Sequence, residues 1–281
     1  MGALNAWVPA DTYRATTNVA YASGPRQTLD IYQPAAGGEP APVVVFYYGG
    51  NWESGARADY RFVGEALASR GFIVIIPDYR LYPDVRFPDF LSDGAQAVRW
   101  TLDHIADYDG DPRRVFLMGH SAGGYIAAML ALDDQYLCAS GADPRQVRGL
   151  IGLAGPYDFL PLQARVPKLV FGFPDTPVTT QPIHFVTAAA PPALLLTGKD
   201  DDLVDPGNVP RLATRLRKDG VRVDEIVYSE LGHRTLVAAL AAPLRTLGPV
   251  LDDVAGFINA VSAQPVSAAR TGAHARCAPN V

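Results

Sequence analysis

The pentapeptide Gly119-His120-Ser121-Ala122-Gly123 constrains this chain more than any other stretch. Before it, Arg114-Val115-Phe116-Leu117-Met118 reads as a buried strand. After it, Gly124 to Leu132 reads as an apolar helix. A strand that runs through G-x-S-x-G straight into a helix must turn sharply at the serine. Ser121 then sits in a strained backbone conformation with its hydroxyl exposed, and the residues two before and two after it must be small. Gly119 and Gly123 meet that demand. The helix that follows points its N-terminus at the serine, where it favours developing negative charge. A tight turn without chemistry has the same pattern. The reading therefore depends on whether the chain also supplies a base, an acid and oxyanion donors.

The surrounding chain alternates between short apolar runs and amphipathic stretches. Pro42 to Tyr48 is a continuous apolar run of strand length, as expected of a central parallel strand covered on both faces. Phe72 to Ile76 reads as another buried strand, Val147 to Gly155, Ala193 to Thr197 and Val221 to Tyr228 read as strands, and Gln27 to Pro34 alternates as a strand. Ala58 to Arg70, Asp89 to Ile105, Val209 to Lys218 and Pro249 to Val261 read as helices, with Gly71 and Gly220 as stops. A further helix starts at Thr235 after the loop Ser229 to Arg234. Residues 1–20 read as a polar lead-in with a short helix, and Asp109 to Pro112 as a turn. This rhythm predicts an α/β fold with a mostly parallel, doubly wound sheet in one domain, residues 1–262. Residues 160 to about 190 break the rhythm. The span is rich in proline and aromatics, too long for a simple connection and too apolar for a linker. The insertion, about 156–190, is expected to form a small cap over the site, and 263–281 to be a loose tail.

Composition narrows the function classes. At 48% hydrophobic and 19% charged residues, the chain can bury a sizeable core. Its net charge of −5 gives no basic surplus for phosphates, which argues against a nucleic-acid partner. No apolar run is long enough to span a membrane. Met1 to Arg14 lacks a basic segment followed by an apolar one, so no signal peptide is expected. Two cysteines, Cys138 and Cys277, are too few for a disulfide framework, and reduced thiols in a cytoplasm are the simpler expectation. Neither cysteine has a metal-like spacing to a histidine, so no metal is expected. Oligomeric state is left open, a homo-oligomer included.

Five histidines compete for the role of base. His104 falls late in a surface helix, His184 in the expected cap where it can reach substrate, and His274 in the tail. His120 lies beside the serine, but its side chain should point away from the cavity. His233 alone follows a predicted strand on the side where strand C-termini open. For the acid, Asp200, Asp201 and Asp202 are adjacent after the strand Ala193 to Thr197, and Asp205 follows. Like charges disfavour one another, so three neighbouring carboxylates cannot all be buried. Early in the chain, Gly49-Gly50-Asn51-Trp52 ends the Pro42 to Tyr48 strand. Two glycines there let backbone N–H groups face a cavity, as an oxyanion hole requires.

With these residues in place, the chain resembles the α/β-hydrolase superfamily over roughly residues 25 to 262. Within it, the chain is similar to the esterases around hormone-sensitive lipase, and more closely to the small-capped branch of arylformamidases and feruloyl-type carboxylesterases. The resemblance rests on Leu29-Asp30-Ile31-Tyr32, Tyr48-Gly49-Gly50-Asn51-Trp52, Pro77-Asp78-Tyr79-Arg80-Leu81, Gly110 to Gly124, and Gly198 to Val204. The order serine, aspartate, histidine is the one this fold uses. The resemblance implies Ser121 as nucleophile, His233 as base and, through the pattern G-x-x-D-x-x-V on Gly198, Asp201 and Val204, Asp201 as acid. It implies oxyanion donors at Gly50, Asn51 and Ala122, with Gly49 shaping the turn. It also implies a small-molecule ester substrate, hydrolysis through an acyl-enzyme, and no metal or organic cofactor. An arylformamidase-like amide hydrolase is the alternative activity, and a non-catalytic ligand-binding homologue a more distant one. One departure stands out: the family's usual H-G-G-x-W begins here with Tyr48.

Overall fold

The structure, a computed structural model, describes residues 2–265 and Cys277. Its strands are β1 (Tyr13–Ala20), β2 (Thr28–Pro34), β3 (Ala41–Tyr47), β4 (Ile73–Pro77), β5 (Gly110–His120), β6 (Val147–Leu153), β7 (Ala193–Gly198) and β8 (Val223–Tyr228). Its α-helices are α1 (Arg61–Ala68), α2 (Asp89–His104), α3 (Ala122–Leu132), α4 (Asp134–Ala139), α5 (Arg165–Phe171), α6 (Asn208–Lys218), α7 (His233–Ala238) and α8 (Val250–Ser262).

The eight strands form one sheet in the order β1-β2-β4-β3-β5-β6-β7-β8. From β4 onward every pair is parallel, and β1 and β2 pair antiparallel at one edge. Each parallel step needs a crossover, and helices α1, α2, α3, α5 and α6 lie in those crossovers. The central strands are apolar on both faces because helices cover both. Val43 to Tyr47, Ile73 to Ile76 and Val115 to Met118 are all buried. Helix α3 is buried along its whole length, which is why its sequence lacks a polar face. This is the α/β-hydrolase arrangement expected from the sequence. In such sheets the strand C-termini open onto one edge, where the site belongs.

Several local expectations need correction. Residues 13–20 form strand β1 rather than an irregular lead-in. Its Thr- and Asn-containing sequence shows no buried alternation because it is an edge strand, held mainly by its ladder to β2. Gly110 to Pro112 belong to β5 rather than to a turn, and the chain reverses one residue earlier, at Asp109 with φ 63°. Helix α7 starts at His233 itself instead of two residues later.

The cysteines also differ from expectation. Cys138, in α4, is disulfide-bonded to Cys277, so no reduced pair is present. The sequence separation of 139 residues hides this pairing. It places Cys277 beside α4, which no local pattern encodes. Otherwise the tail expected over 263–281 lies largely outside the described residues. Between β6 and β7, the stretch expected as a cap contains α5 and two short 3-10 helices, Val178–Thr180 and Pro182–Phe185.

Candidate active site

Ser121 occupies the turn between β5 and α3 with φ 56° and ψ −123°, a conformation few non-glycine residues adopt. The packing around it explains the flanking glycines. A Cβ on Gly119 would lie 2.1 Å from Gly123 O, and one on Gly123 would lie 2.0 Å from Tyr47 O. A side chain at Gly119 would force the turn itself apart, and one at Gly123 would push it off β3. Ser121 N donates to Leu153 O at 2.9 Å, which ties the turn to β6.

The structure brings Ser121, His233 and Asp201 into one line. His233 Nε2 is 2.8 Å from Ser121 Oγ, and His233 Nδ1 is 2.8 Å from Asp201 Oδ2. With Nδ1–H donating to the carboxylate, Nε2 is left with its lone pair toward the serine hydroxyl. Asp201 also accepts Leu203 N at 3.0 Å and Val204 N at 2.8 Å, both on Oδ1. Burial works to raise the Asp201 pKa. The hydrogen bonds from His233 and the two backbone N–H groups outweigh it and hold the carboxyl below its ordinary value. Among the adjacent carboxylates the geometry is selective: the Asp201 side chain is 0% exposed, whereas Asp200 and Asp202 are exposed residues. Asp205 is also exposed and is taken up by Gly207 N and Arg211.

His120 points away from the cavity, as expected, but it has a partner that sequence reasoning missed. Its Nε2–H donates to the His233 carbonyl at 2.9 Å, and its ring lies 4.7 Å from the His233 ring. Its Nδ1 has no hydrogen-bond partner among the described residues. Burial, with the neighbouring His233 adding to it, pushes the His120 pKa down to about 3. His120 is therefore a neutral clip on the backbone of His233. Of the other histidines, His104 packs against the Trp100 ring, and His184 sits in the second short 3-10 helix without lining the cavity. His274 lies outside the described residues.

The turn after β3 faces Ser121 from the other side. A Cβ on Gly49 would come within 2.9 Å of Ser121 Cβ, so only glycine allows this approach. Gly50 O closes the turn by accepting Glu53 N at 3.1 Å and Ser54 N at 3.0 Å. Asn51 and Trp52 both have positive φ, 57° and 59°, an unusual pair for non-glycine residues. Ala122 is the first residue of α3, so its N–H has no carbonyl four residues earlier in the helix.

Asn51, Ser121 and Ala122 open onto a cavity of about 710 Å³. Trp52, Phe159, Leu160 and Leu203 give it apolar walls, and Asp158 and Arg211 form a polar corner. Arg211 Nε is 2.9 Å from Asp158 Oδ2, and its Nη1 is 3.0 Å from Asp205 Oδ2. Behind the wall, Trp52 packs edge-on against Phe171 and Tyr125 at 4.9 and 5.4 Å. Phe159 and Phe171 come from the inserted stretch. Their aromatic character was the only sequence signal for this wall, and nothing in the sequence marked Asp158 or Arg211. Among the described residues, no group of three histidine, cysteine or carboxylate side chains is placed to hold a metal ion.

Residues 29–216 match the BD-FAE family. Among curated proteins, the chain is 30% identical over 251 residues to a probable isoprenylcysteine alpha-carbonyl methylesterase of Arabidopsis thaliana, covering 81% of this chain and 52% of the plant protein. It is 30% identical over 266 residues to esterase LipC of Mycobacterium tuberculosis, covering 86% of this chain and 64% of that one. The chain thus spans between half and two thirds of the length of these relatives. Among solved structures, a truncated carbohydrate esterase from gut microbiota superposes with a TM-score of 0.80 at 23% identity, covering 91% of this chain and 99% of the other. That likeness shows a shared fold.

Proposed function

The chain belongs to the BD-FAE family, and from that premise we propose that it is a serine hydrolase that cleaves small, short-acyl or aryl carboxylic esters through an acyl-enzyme. The observation that carries this reading is the continuous line Ser121–His233–Asp201, with 2.8 Å at both contacts, opening onto a cavity. The names of the relatives, a methylesterase and an esterase, support ester over amide cleavage.

Ser121 Oγ attacks the acyl carbonyl as His233 Nε2 takes its proton. Asp201 stabilises the resulting imidazolium and keeps the proton on Nδ1. The N–H groups of Gly50, Asn51 and Ala122 receive the oxyanion, and Gly49 lets their turn approach the serine. The N-terminus of α3 adds favourable potential there. His233 then returns its proton to the leaving alcohol, and water activated by the same nitrogen releases the acid. No step calls for a metal or an organic cofactor.

Among the described residues, no helix is long and apolar enough to cross a membrane. The Cys138–Cys277 bond supports an oxidising compartment over the cytoplasm expected from the cysteine count. A ladder of p-nitrophenyl esters of increasing acyl length tests the substrate reading. Turnover should peak at short acyl chains, and a preference for long chains would refute it.

A further inference from the structure

We propose that Tyr48 is a positioning residue for the turn that carries the Gly50 and Asn51 N–H groups, clamping its entry to its exit through Asp78 and Arg26. The proposal rests on the reading of that turn as the oxyanion loop.

The turn runs from Gly49 to Ala56. Tyr48, at its entry, is fully buried. Its hydroxyl donates to Asp78 Oδ1 at 2.7 Å and accepts from Arg26 Nη2 at 2.8 Å. Both partners also hold the exit. Arg26 Nη2 donates to Gly55 O at 2.8 Å, and Asp78 Oδ1 accepts Arg57 N at 2.7 Å. The Arg57 guanidinium pairs with Asp78 Oδ2 as well. The Tyr48 carbonyl is fixed in turn, because Tyr79 O–H donates to it at 2.7 Å. Finally, Arg26 Nε donates to Tyr79 O at 2.9 Å, which closes the circuit.

This circuit has a physical purpose at this place. Asn51 and Trp52 sit between the two clamped ends in left-handed conformations. Such residues persist only where their surroundings over-determine them. The Tyr48 hydroxyl is the one atom in the circuit that touches both Asp78 and Arg26 from the entry side. Burial, with Tyr79 and Asp78 adding to it, pushes the phenol pKa well up, so the group stays protonated and can donate. The ring itself is held independently, stacked at 4.7 Å on Tyr79 and 5.5 Å from Tyr60. Removing the hydroxyl alone should therefore loosen the clamp and leave the packing intact. The long tyrosine side chain lets one hydroxyl reach a carboxylate and an arginine together.

The experiment compares wild type with Tyr48→Phe, and with Arg26→Gln on the solvent side of the same circuit. Two readouts are taken: hydrogen exchange of peptides covering residues 49–57, and kcat and KM on p-nitrophenyl butyrate. The clamp predicts exchange over 49–57 faster by roughly tenfold in both variants, with peptides from β5 and β6 unchanged. It also predicts kcat lower by roughly tenfold with KM within about twofold, because misplaced N–H groups weaken the transition state more than the bound ester. Unchanged exchange over 49–57 would overturn the proposal. So would faster exchange throughout the core, or a lower melting temperature with kcat intact, since these describe a general brace. If wild type hydrolyses no ester, the functional reading fails on its own, and the exchange measurement still decides the clamp.

Discussion

His120 makes stability depend on pH in a way that a substitution can isolate. In the native state its pKa is pushed down to about 3, chiefly by burial. In the unfolded chain an exposed histidine titrates near 6.5. Between these values the unfolded state binds a proton that the native state refuses, so acid favours unfolding. The contribution is fully present above pH 6.5 or so and is lost progressively as pH falls toward the native value. The slope is about 1.4 kcal/mol per pH unit, which amounts to about 2.7 kcal/mol between neutral pH and pH 4.5. Against a typical stability of about 5–15 kcal/mol, that is a large share. Carboxylates titrate over the same range, so the informative quantity is a difference between proteins. His120→Gln keeps an N–H able to reach the His233 carbonyl and removes the titrating group. Urea unfolding of both proteins at pH 7.5, 6.0, 5.0 and 4.5 gives two stability curves. Wild type should lose ground on the variant by about 1.4 kcal/mol per unit below pH 6.5. Parallel curves would refute the argument, because they would mean that His120 takes up its proton without cost in the native state.

Other expectations follow from the site. Asp201→Asn should lower kcat by about 10³- to 10⁴-fold by allowing the wrong His233 tautomer, whereas Asp202→Asn should stay within about twofold in the same ester assay. Gly123→Ala, whose Cβ would sit 2.0 Å from Tyr47 O, should cost roughly 3 kcal/mol or prevent folding, read by thermal melting and soluble yield. Thiol titration of the denatured, unreduced protein should find neither cysteine free, and both after reduction. A finding of two free thiols without reductant would contradict the Cys138–Cys277 bond.

What the sequence revealed tracks what is local. The continuous apolar runs became central strands because burial on both faces leaves no room for alternation. The elbow was legible because two glycines and a serine at fixed spacing encode a steric demand, which the 2.0–2.1 Å clashes at Gly119 and Gly123 make concrete. Asp201 came from a family pattern, and its neighbours are told apart only by burial, which the sequence does not carry. Strand β1 was missed because an edge strand needs a partner more than a pattern. The clamp around Tyr48 was invisible for the same reason. Arg26, Tyr48 and Asp78 are brought together from three separate segments, and no one of them carries a local signal for the others. The tie from His120 to the His233 carbonyl spans 113 residues and was equally hidden.

The proposed reaction rests on Ser121 as a nucleophile activated by His233. Treatment of the protein with diethyl p-nitrophenyl phosphate, followed by intact mass and peptide mapping, tests it most directly. An activated Ser121 should give a single diethylphosphoryl adduct on that residue, loss of esterase activity in step with labelling, and no adduct on Ser121→Ala. An unlabelled wild-type protein, an adduct on another residue, or full esterase activity in Ser121→Ala would contradict it.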